Sequence, residues 1–316
     1  MTDVRLVRHL SDLPFQQLAG GSVVTIGAFD GLHHGHEQLL WRVMAESQDR
    51  SVPSVVMSFE PTPKEFFSAA APPARLMRFR EKFDSLADHG IDIFYCPRFS
   101  EAMRSISADA FIRRILVHGL NARHIVIGDD FRFARKREGT LDELVRAGNA
   151  LDYSVERVPS VIVDGIRVSS TAIRDALAVG DLARATALLG RPYRMSGRIV
   201  RGRQVGRSLG YATANVDLRR RQSAVTGIYA VRVHGLPEGP IEGVASVGTR
   251  PTFDLTKPLL EVHLFDFDRE IYGDYIHVDF IEHLRDEEKF ASIDDLVAQM
   301  KIDEENARSA LAAHTA

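Results

Sequence analysis

The 316-residue chain contains one cysteine, Cys96, so no disulfide can form within it; the thiol lies in the apolar run IDIFYCP. Cysteine is among the residue types most often buried, and Cys96 reads as a core thiol rather than a reactive one. Long hydrophobic runs are also missing. No uninterrupted apolar stretch approaches the ~18 residues that a membrane helix needs, and MTDVRLVRHLSDLP at the N-terminus lacks the apolar centre of a secretion signal. Neither sign of charge is in excess: 40 Lys and Arg stand against 43 Asp and Glu, a formal net charge of −3. Such a surface sets up no global field for gathering nucleic acid or anionic lipid, so any anion must be held locally. No repeat or low-complexity segment stands out. The expectation is a soluble, cytoplasmic protein with no nucleic-acid or membrane partner, and 45% hydrophobic content over this length can fill two ordinary cores.

The first half of the chain alternates strands with helices. VVTIGAF, SVVMSFEP, IDIFYC and HIVIG read as strands. Between them, HEQLLWRVMAES carries Leu39, Leu40, Val43 and Met44 on one helical stripe, and RFREKFDSLADHG carries Phe79, Phe83 and Leu86, with Gly90 as its stop. SADAFIRRILVHG reads as a third helix, capped by Ser107. This order predicts a parallel α/β sheet with right-handed crossovers, whose ligands bind beyond the carboxyl ends of the strands. GAFDGLHHGH, FEPTP and GDDFRF fall at those ends. After LGRPYR the period changes. MSGRIV, GIYAVRV, IEGVASVG, LLEVHLFDF and YIHVDFIEHL are short and β-rich, and Tyr229, Val231 and Val233 alternate with polar or small residues. These segments predict an antiparallel sheet or small barrel, followed by an amphipathic C-terminal helix from Ile293. The composition switch puts a domain boundary near Gly190, giving domains 1–189 and 190–316.

A strand that ends in GAFDGLHHGH and leads into a helix makes a phosphate site, because the first helical N–H groups lack internal partners and carry the positive end of the helix dipole. Gly27, Gly31 and Gly35 clear side chains where a nucleotide must approach backbone. His33 and His36, three apart, can face one ligand and stabilise charge developing on a phosphate. The other readings of the stretch are a histidine-rich surface loop and a zinc site made of His33, His34 and His36. VSSTAIRDALAVG places Ser169, Ser170 and Thr171 before a helix with Arg174 in its first turn. Ordinary capping accounts for one hydroxyl; three with an arginine suit the outer phosphates of a nucleotide.

Taken together and in order, GAFDGLHHGH, SFEPTPKEFF, GDDFRF, VSSTAIR, LGRPY, GRSLGYATANV, VGTRPTF, LEVHLFDFDREIYG and LRDEEKF resemble the bacterial bifunctional riboflavin kinase/FAD synthetase family over nearly the whole chain. The resemblance implies an N-terminal Rossmann-like nucleotidyltransferase domain and a C-terminal β-barrel kinase domain. It also implies the substrates riboflavin, FMN and ATP, and Mg²⁺. Adenylyl transfer uses the FMN phosphate, an anion that needs no base. Positioning and charge stabilisation by His33 and His36 then suffice, with Gly27, Phe29, Asp30, Gly35, Asp130, Ser169, Ser170, Thr171 and Arg174 around the ATP phosphates. Asp30 has an alternative task in an Asx-turn. The resemblance places Glu60 and Arg285 at flavin, although LRDEEKF also reads as a solvated charge run.

Riboflavin phosphorylation activates a neutral hydroxyl and gains from a carboxylate, for which the resemblance points to Glu261; strand alternation sets Glu261, His263 and Phe265 opposite Val262 and Leu264. From pattern alone Glu261 is equally a solvent-facing strand glutamate. By resemblance, Gly202, Gly206 and Gly210 form the kinase phosphate loop, and Thr213 and Asn215 are its metal and nucleotide ligands. Ala212, Ala134 and Ser246 depart from the family's usual proline, glycine and asparagine; the missing proline is expected to loosen the loop before Thr213. The competing functions are another HxGH-type nucleotidyltransferase and a non-catalytic flavin or nucleotide sensor.

Overall fold

A computed structural model of the chain describes residues 4–202, 210–251 and 256–314. The chain divides into two compact units, Met1–Pro73 with Met77–Val168, and Ser169–Ala316 with the three residues Ala74–Leu76.

In the first unit, β1 (Arg5–Val7), β2 (Ser22–Ile26), β3 (Ser54–Met57), β4 (Ile93–Tyr95), β5 (Ala122–Gly128) and β6 (Ser154–Val158) form one sheet in the order β1-β4-β3-β2-β5-β6. Every neighbouring pair is parallel. Side chains alternate across it. Val24, Ile26, Val55 and Met57 pack on one face against Phe111, Ile112, Ile115 and Leu116. Val23 and Val56 point to the other face, where Val43, Leu40 and Leu86 lie. Burial on both faces explains why these strands read as continuous apolar runs. Each fully buried Val, Leu or Ile contributes about 1.5–3 kcal/mol to holding the layers together.

The helices of this unit are α1 (His34–Arg50), α2 (Pro63–Phe67), α3 (Phe79–Asp88), α4 (Glu101–Arg104), α5 (Ala108–Ala110) and α6 (Leu141–Leu151). Ser107 caps α5, accepting from the Ala110 N–H at 3.2 Å, but the following Phe111–Val117 is wound as a π-helix rather than continuing the predicted α-helix. That winding turns four apolar side chains of the stretch onto the sheet. The chain runs from β2 to β3 and β4 on one side and from β5 to β6 on the other. The crevice between β2 and β5 is therefore the topological switch point. Neither edge strand, β1 or β6, was expected: RLV is only three residues long, and SVERV carries an exposed Ser154 and Arg157. A charged network braces α1 to the sheet. Arg42 grips Glu156 at 2.6 and 2.9 Å and Glu46 at 3.2 Å, Arg50 holds Glu46 at 3.0 Å, and buried His124 lies 3.4 Å from Glu156. A short hairpin, β7 (Ile162–Val163) and β8 (Ile166–Arg167), closes the unit.

The second unit begins with α7 (Ser170–Ala178) and α8 (Leu182–Leu189) and continues as β9 (Tyr193–Val200), β10 (Ala214–Asp217), β11 (Gly227–His234), β12 (Ile241–Pro251), β13 (Thr256–Leu264), β14 (Tyr275–Arg285) and α9 (Ile293–Ala313). The six strands close into an antiparallel barrel in the order β10-β13-β12-β11-β14-β9. Tyr229, Val231, Val233, Leu260, Val262 and Phe280 are buried at 1% exposure or less. The alternate residue Ala230 packs outward with Phe265 against Ala307 and Leu311 of α9. Gly190, with φ of 80°, ends α8 at the point where the composition switches. The compact unit starts earlier, at Ser169, and it incorporates Ala74–Leu76: Arg174 donates to the Ala74 carbonyl at 2.6 Å, and buried Arg220 donates to the Arg75 and Leu76 carbonyls at 2.6 and 3.2 Å.

Helix α9 is fastened by a fork. Arg285 at the end of β14 donates to both oxygens of buried Asp303 at 2.8 and 2.7 Å, and Gln299 adds a third bond at 3.0 Å. Removing one partner of such a pair leaves a charge buried without compensation. Asp303→Ala is expected to destabilise the barrel unit by about 3 kcal/mol, with Asp303→Asn losing less; chemical denaturation followed by far-ultraviolet circular dichroism measures both.

Candidate active sites

The β2–α1 connection opens at the switch point with Gly27. A Cβ there would meet the Phe29 ring at 3.0 Å, so the glycine lets that ring fold back onto the strand end. Phe29 adopts a left-handed backbone (φ 48°), is wholly buried, and places its ring 5.0 Å from that of His36. His33 is the N-cap of α1, and its Nδ1 accepts from the His36 backbone N–H at 3.4 Å. With Nδ1 as acceptor, the neutral ring carries its proton on Nε2, a donor for a ligand. The two imidazoles stack at 3.7 Å and 14°. Burial first, then the neighbouring His33 and Lys82, hold the His36 imidazole well below its ordinary pKa. Its Nδ1 is buried with no hydrogen-bond partner. The helix N-terminus and a buried His36 ring atom lacking a partner are groups that an anionic ligand can use. His34 turns aside to Glu37 at 3.1 Å, so the three histidines do not converge as zinc ligands. Gly35 lies over the His33 ring, where a Cβ would make ordinary contact at 3.4 Å.

Other loops gather at this carboxyl edge. Asp30, almost buried, accepts from the Met77 N–H at 2.9 Å and so fixes the loop to the start of α3. Asp130, after β5, is mostly exposed and pairs with Arg167 at 2.7 Å; its neighbour Asp129 takes both the hydroxyl and the N–H of Ser160. Glu60 follows β3 and is half-buried. Beside it Phe59, Phe66 and Phe67 all pack on Phe99, with ring centroids 5.4, 5.2 and 5.9 Å away, and Phe67 stays 62% exposed. Two features here went unread in the sequence. The aromatic group was signalled only by the doublet Phe66–Phe67. Lys82 was signalled by its place on the same stripe as Phe79, Phe83 and Leu86, where a charge is out of pattern. It is buried, and its ammonium donates to the Ala28 carbonyl at 2.5 Å.

Ser169 caps α7, accepting from the Ala172 N–H at 3.1 Å, which leaves Ser170 half-buried and Thr171 exposed. Arg174 bonds the Ala74 and Ser170 carbonyls.

On the barrel, register sets the second group. Asn215 of β10 pairs with Glu261 of β13, which pairs with Ser246 of β12. Opposed residues share a face, so these three form a row on the outer face, with Asn215 itself buried, while Val216, Leu260 and Val262 fill the inside. His263 lies on the same outer face, but Phe265, beyond the strand end, is buried under α9. Thr213 lies two residues before Asn215, just ahead of β10. Gly202 approaches the Asn215 amide so closely that any Cβ would clash with it. Gly210 sits in an open turn (φ 85°), and Gly206 lies outside the described residues. Next to Thr213, where the missing proline is expected to loosen the loop, the Ala212 carbonyl accepts from His263 Nδ1 at 2.9 Å and Tyr211 packs on the His263 ring. Arg285 commits its guanidinium to Asp303, a bracing task the sequence pattern did not suggest.

The FAD synthetase family model matches residues 15–172, and the riboflavin kinase family model matches residues 189–311. The bifunctional riboflavin kinase/FMN adenylyltransferase of Escherichia coli K12 is 44% identical over 305 residues, 96% of each chain. That of Pseudomonas fluorescens is 43% identical over 314 residues, 99% of each. Among solved structures, a crystal structure described as a macrolide-efflux protein from Streptococcus pneumoniae is similar at a TM-score of 0.80 and 32% identity, covering 97% of this chain and 99% of that one. Among the described residues here, no helix is long and apolar enough to cross a membrane. On two family models that follow one another along the sequence and relatives matched from end to end, the chain belongs to the bifunctional riboflavin kinase/FMN adenylyltransferase family.

Proposed function

We propose that this protein phosphorylates riboflavin to FMN with ATP and then adenylylates FMN to FAD with a second ATP, releasing pyrophosphate, and that it does so in the cytoplasm, where ATP is at hand. The observation that carries the reading is the presence in one chain of a stacked histidine pair capping a helix at a sheet switch point and a carboxylate–amide row on a closed barrel. We assign adenylyl transfer to residues 1–189 and phosphoryl transfer to residues 190–316.

In adenylyl transfer an oxygen of the FMN phosphate attacks the α-phosphorus of ATP, and the bond to the pyrophosphate oxygen breaks. The Nε2–H of His33 and the ring of His36 stabilise charge on the phosphates, aided by the first N–H groups of α1. Ser169, Ser170, Thr171 and Arg174 are given to the same reaction on their sequence pattern, and the FAD synthetase match reaches through the three hydroxyl residues. Gly27, Phe29 and Gly35 shape the loop, while Asp30 and Asp130 hold its surroundings through Met77 and Arg167. Flavin suits the aromatic group after β3, in which Phe67 is exposed with the Arg104 guanidinium 5.6 Å from its ring centre. For Glu60 and Arg285 a flavin contact rests on motif position.

In phosphoryl transfer the terminal ribityl oxygen attacks the γ-phosphorus, ADP leaves, and Glu261 takes or orients the hydroxyl proton. The Thr213 hydroxyl and Asn215 amide oxygen are hard donors suited to Mg²⁺, and Gly202 lies close against the Asn215 amide. When bound, Mg²⁺ neutralises charge between the ATP phosphates.

Purified protein given riboflavin, ATP and Mg²⁺ is expected to yield FMN and then FAD, resolved by chromatography; absence of both products from folded protein rejects the reading. Replacing His33 and His36 together by alanine lowers FAD formation from FMN by about 10²–10³-fold or more and leaves FMN formation intact. Glu261→Gln does the reverse, slowing riboflavin phosphorylation by about 10²–10⁴-fold while FAD forms normally from supplied FMN. Gly202→Ala pushes on the Asn215 amide and is expected to reduce riboflavin phosphorylation alone by about 10²-fold. Initial rates of each half-reaction separate the three.

A further inference from the structure

A lysine ammonium is costly to take out of water unless it is hydrogen-bonded and electrostatically compensated. Lys82 nevertheless lies at 3% exposure, on a helix stripe where a leucine would meet no such penalty. Its surroundings are specific. Nζ donates to the Ala28 carbonyl at 2.5 Å and lies 3.5 Å from the Ser58 hydroxyl, which itself donates to the same carbonyl at 3.3 Å. Ala28 stands between Gly27 and the left-handed Phe29, whose ring packs against His36. The ammonium therefore holds the peptide immediately before the residue on which His36 rests, and ties that peptide to the end of β3.

We propose that Lys82 is a positioning residue for adenylyl transfer, clamping the Gly27–Phe29 turn against the end of β3 and supplying a fixed positive charge close to the histidine pair. The proposal rests on reading that pair as the adenylyl-transfer site. Lys82 acts through the loop and through His36. His36 feels three influences against protonation, namely its burial, His33 from the cap of its own helix, and Lys82 from α3. A charge fixed in advance needs no reorganisation when a phosphate arrives, the condition under which electrostatic stabilisation is most effective.

The full-length protein is assayed for FAD formation from FMN and ATP, and its histidines are titrated by NMR. Lys82→Met keeps the length and removes the charge; Lys82→Arg keeps the charge. Lys82→Met is expected to lower kcat for FAD formation by about 10–10²-fold, with KM for FMN changed less and riboflavin phosphorylation unchanged. It also moves the His36 titration upward by at least about half a unit. Lys82→Arg recovers most of the rate and returns the titration toward that of the wild type. If Lys82→Met does not fold, Lys82→Gln, a neutral donor to the Ala28 carbonyl, makes the same comparison. An unaltered FAD rate in the neutral variants overturns the role of Lys82, and so does a lost rate with an unmoved His36 titration and no recovery in Lys82→Arg. Wild-type protein that makes no FAD from FMN overturns the underlying reading of the site instead.

Discussion

Two imidazole rings stack 3.7 Å apart at the start of α1, and burial, then the neighbouring His33 and Lys82, disfavour a charge on His36. That constraint organises the first site. It holds the His36 ring well below its ordinary pKa, and a nearby anion acts in the opposite direction. The neighbouring structure serves the same end. The helix begins at His33, so its N–H groups aim where the rings do. Phe29 backs His36, and Gly27 exists to let Phe29 lie there. The sheet fixes all of this by placing β2 beside β5, the one location where its connections diverge and leave a crevice.

The barrel solves a different problem with the two-residue period of a strand. One face of β13 gives Leu260, Val262 and Leu264 to the interior, and the other turns Glu261 and His263 outward, His263 bonding the Ala212 carbonyl. A slip of one residue in register would exchange them, burying a carboxylate and exposing the core, so the packing of the interior enforces the position of Glu261. Cross-strand pairing then brings Asn215 alongside without any loop having to carry it. The first site is made of strand ends, and the second is made largely of strand residues.

Most of this was legible. The helical and strand periods gave both layers of the first unit, and five of the six barrel strands were visible as alternating runs; β10 was hidden because ATANV was read as a ligand motif. The stretch GAFDGLHHGH joins a strand to a helix as its pattern led one to expect, running from the end of β2 into α1. What stayed hidden depends on tertiary context. Lys82 looked like one more charge in RFREKF until its helix was docked, and Arg285 looked like part of a solvated run because its partner Asp303 is 18 residues further on. The edge strand β6 kept polar residues because one side of it is not covered, so it lacked the apolar continuity that marked its neighbours.

The incorporation of Ala74–Leu76 into the second unit bears on the order in which the molecule is assembled. Arg220 is buried and spends its guanidinium on carbonyls of Arg75 and Leu76, residues that leave the ribosome long before β9 is made. The parallel sheet has all its strands by Val158 and can form as soon as they emerge, but the later unit closes around a segment synthesised much earlier. A chain cut before the second unit, or reordered with that unit first, separates Arg220 from those acceptors or changes when it meets them. The order of the two units along the chain is thus written into the fold of the one that comes last.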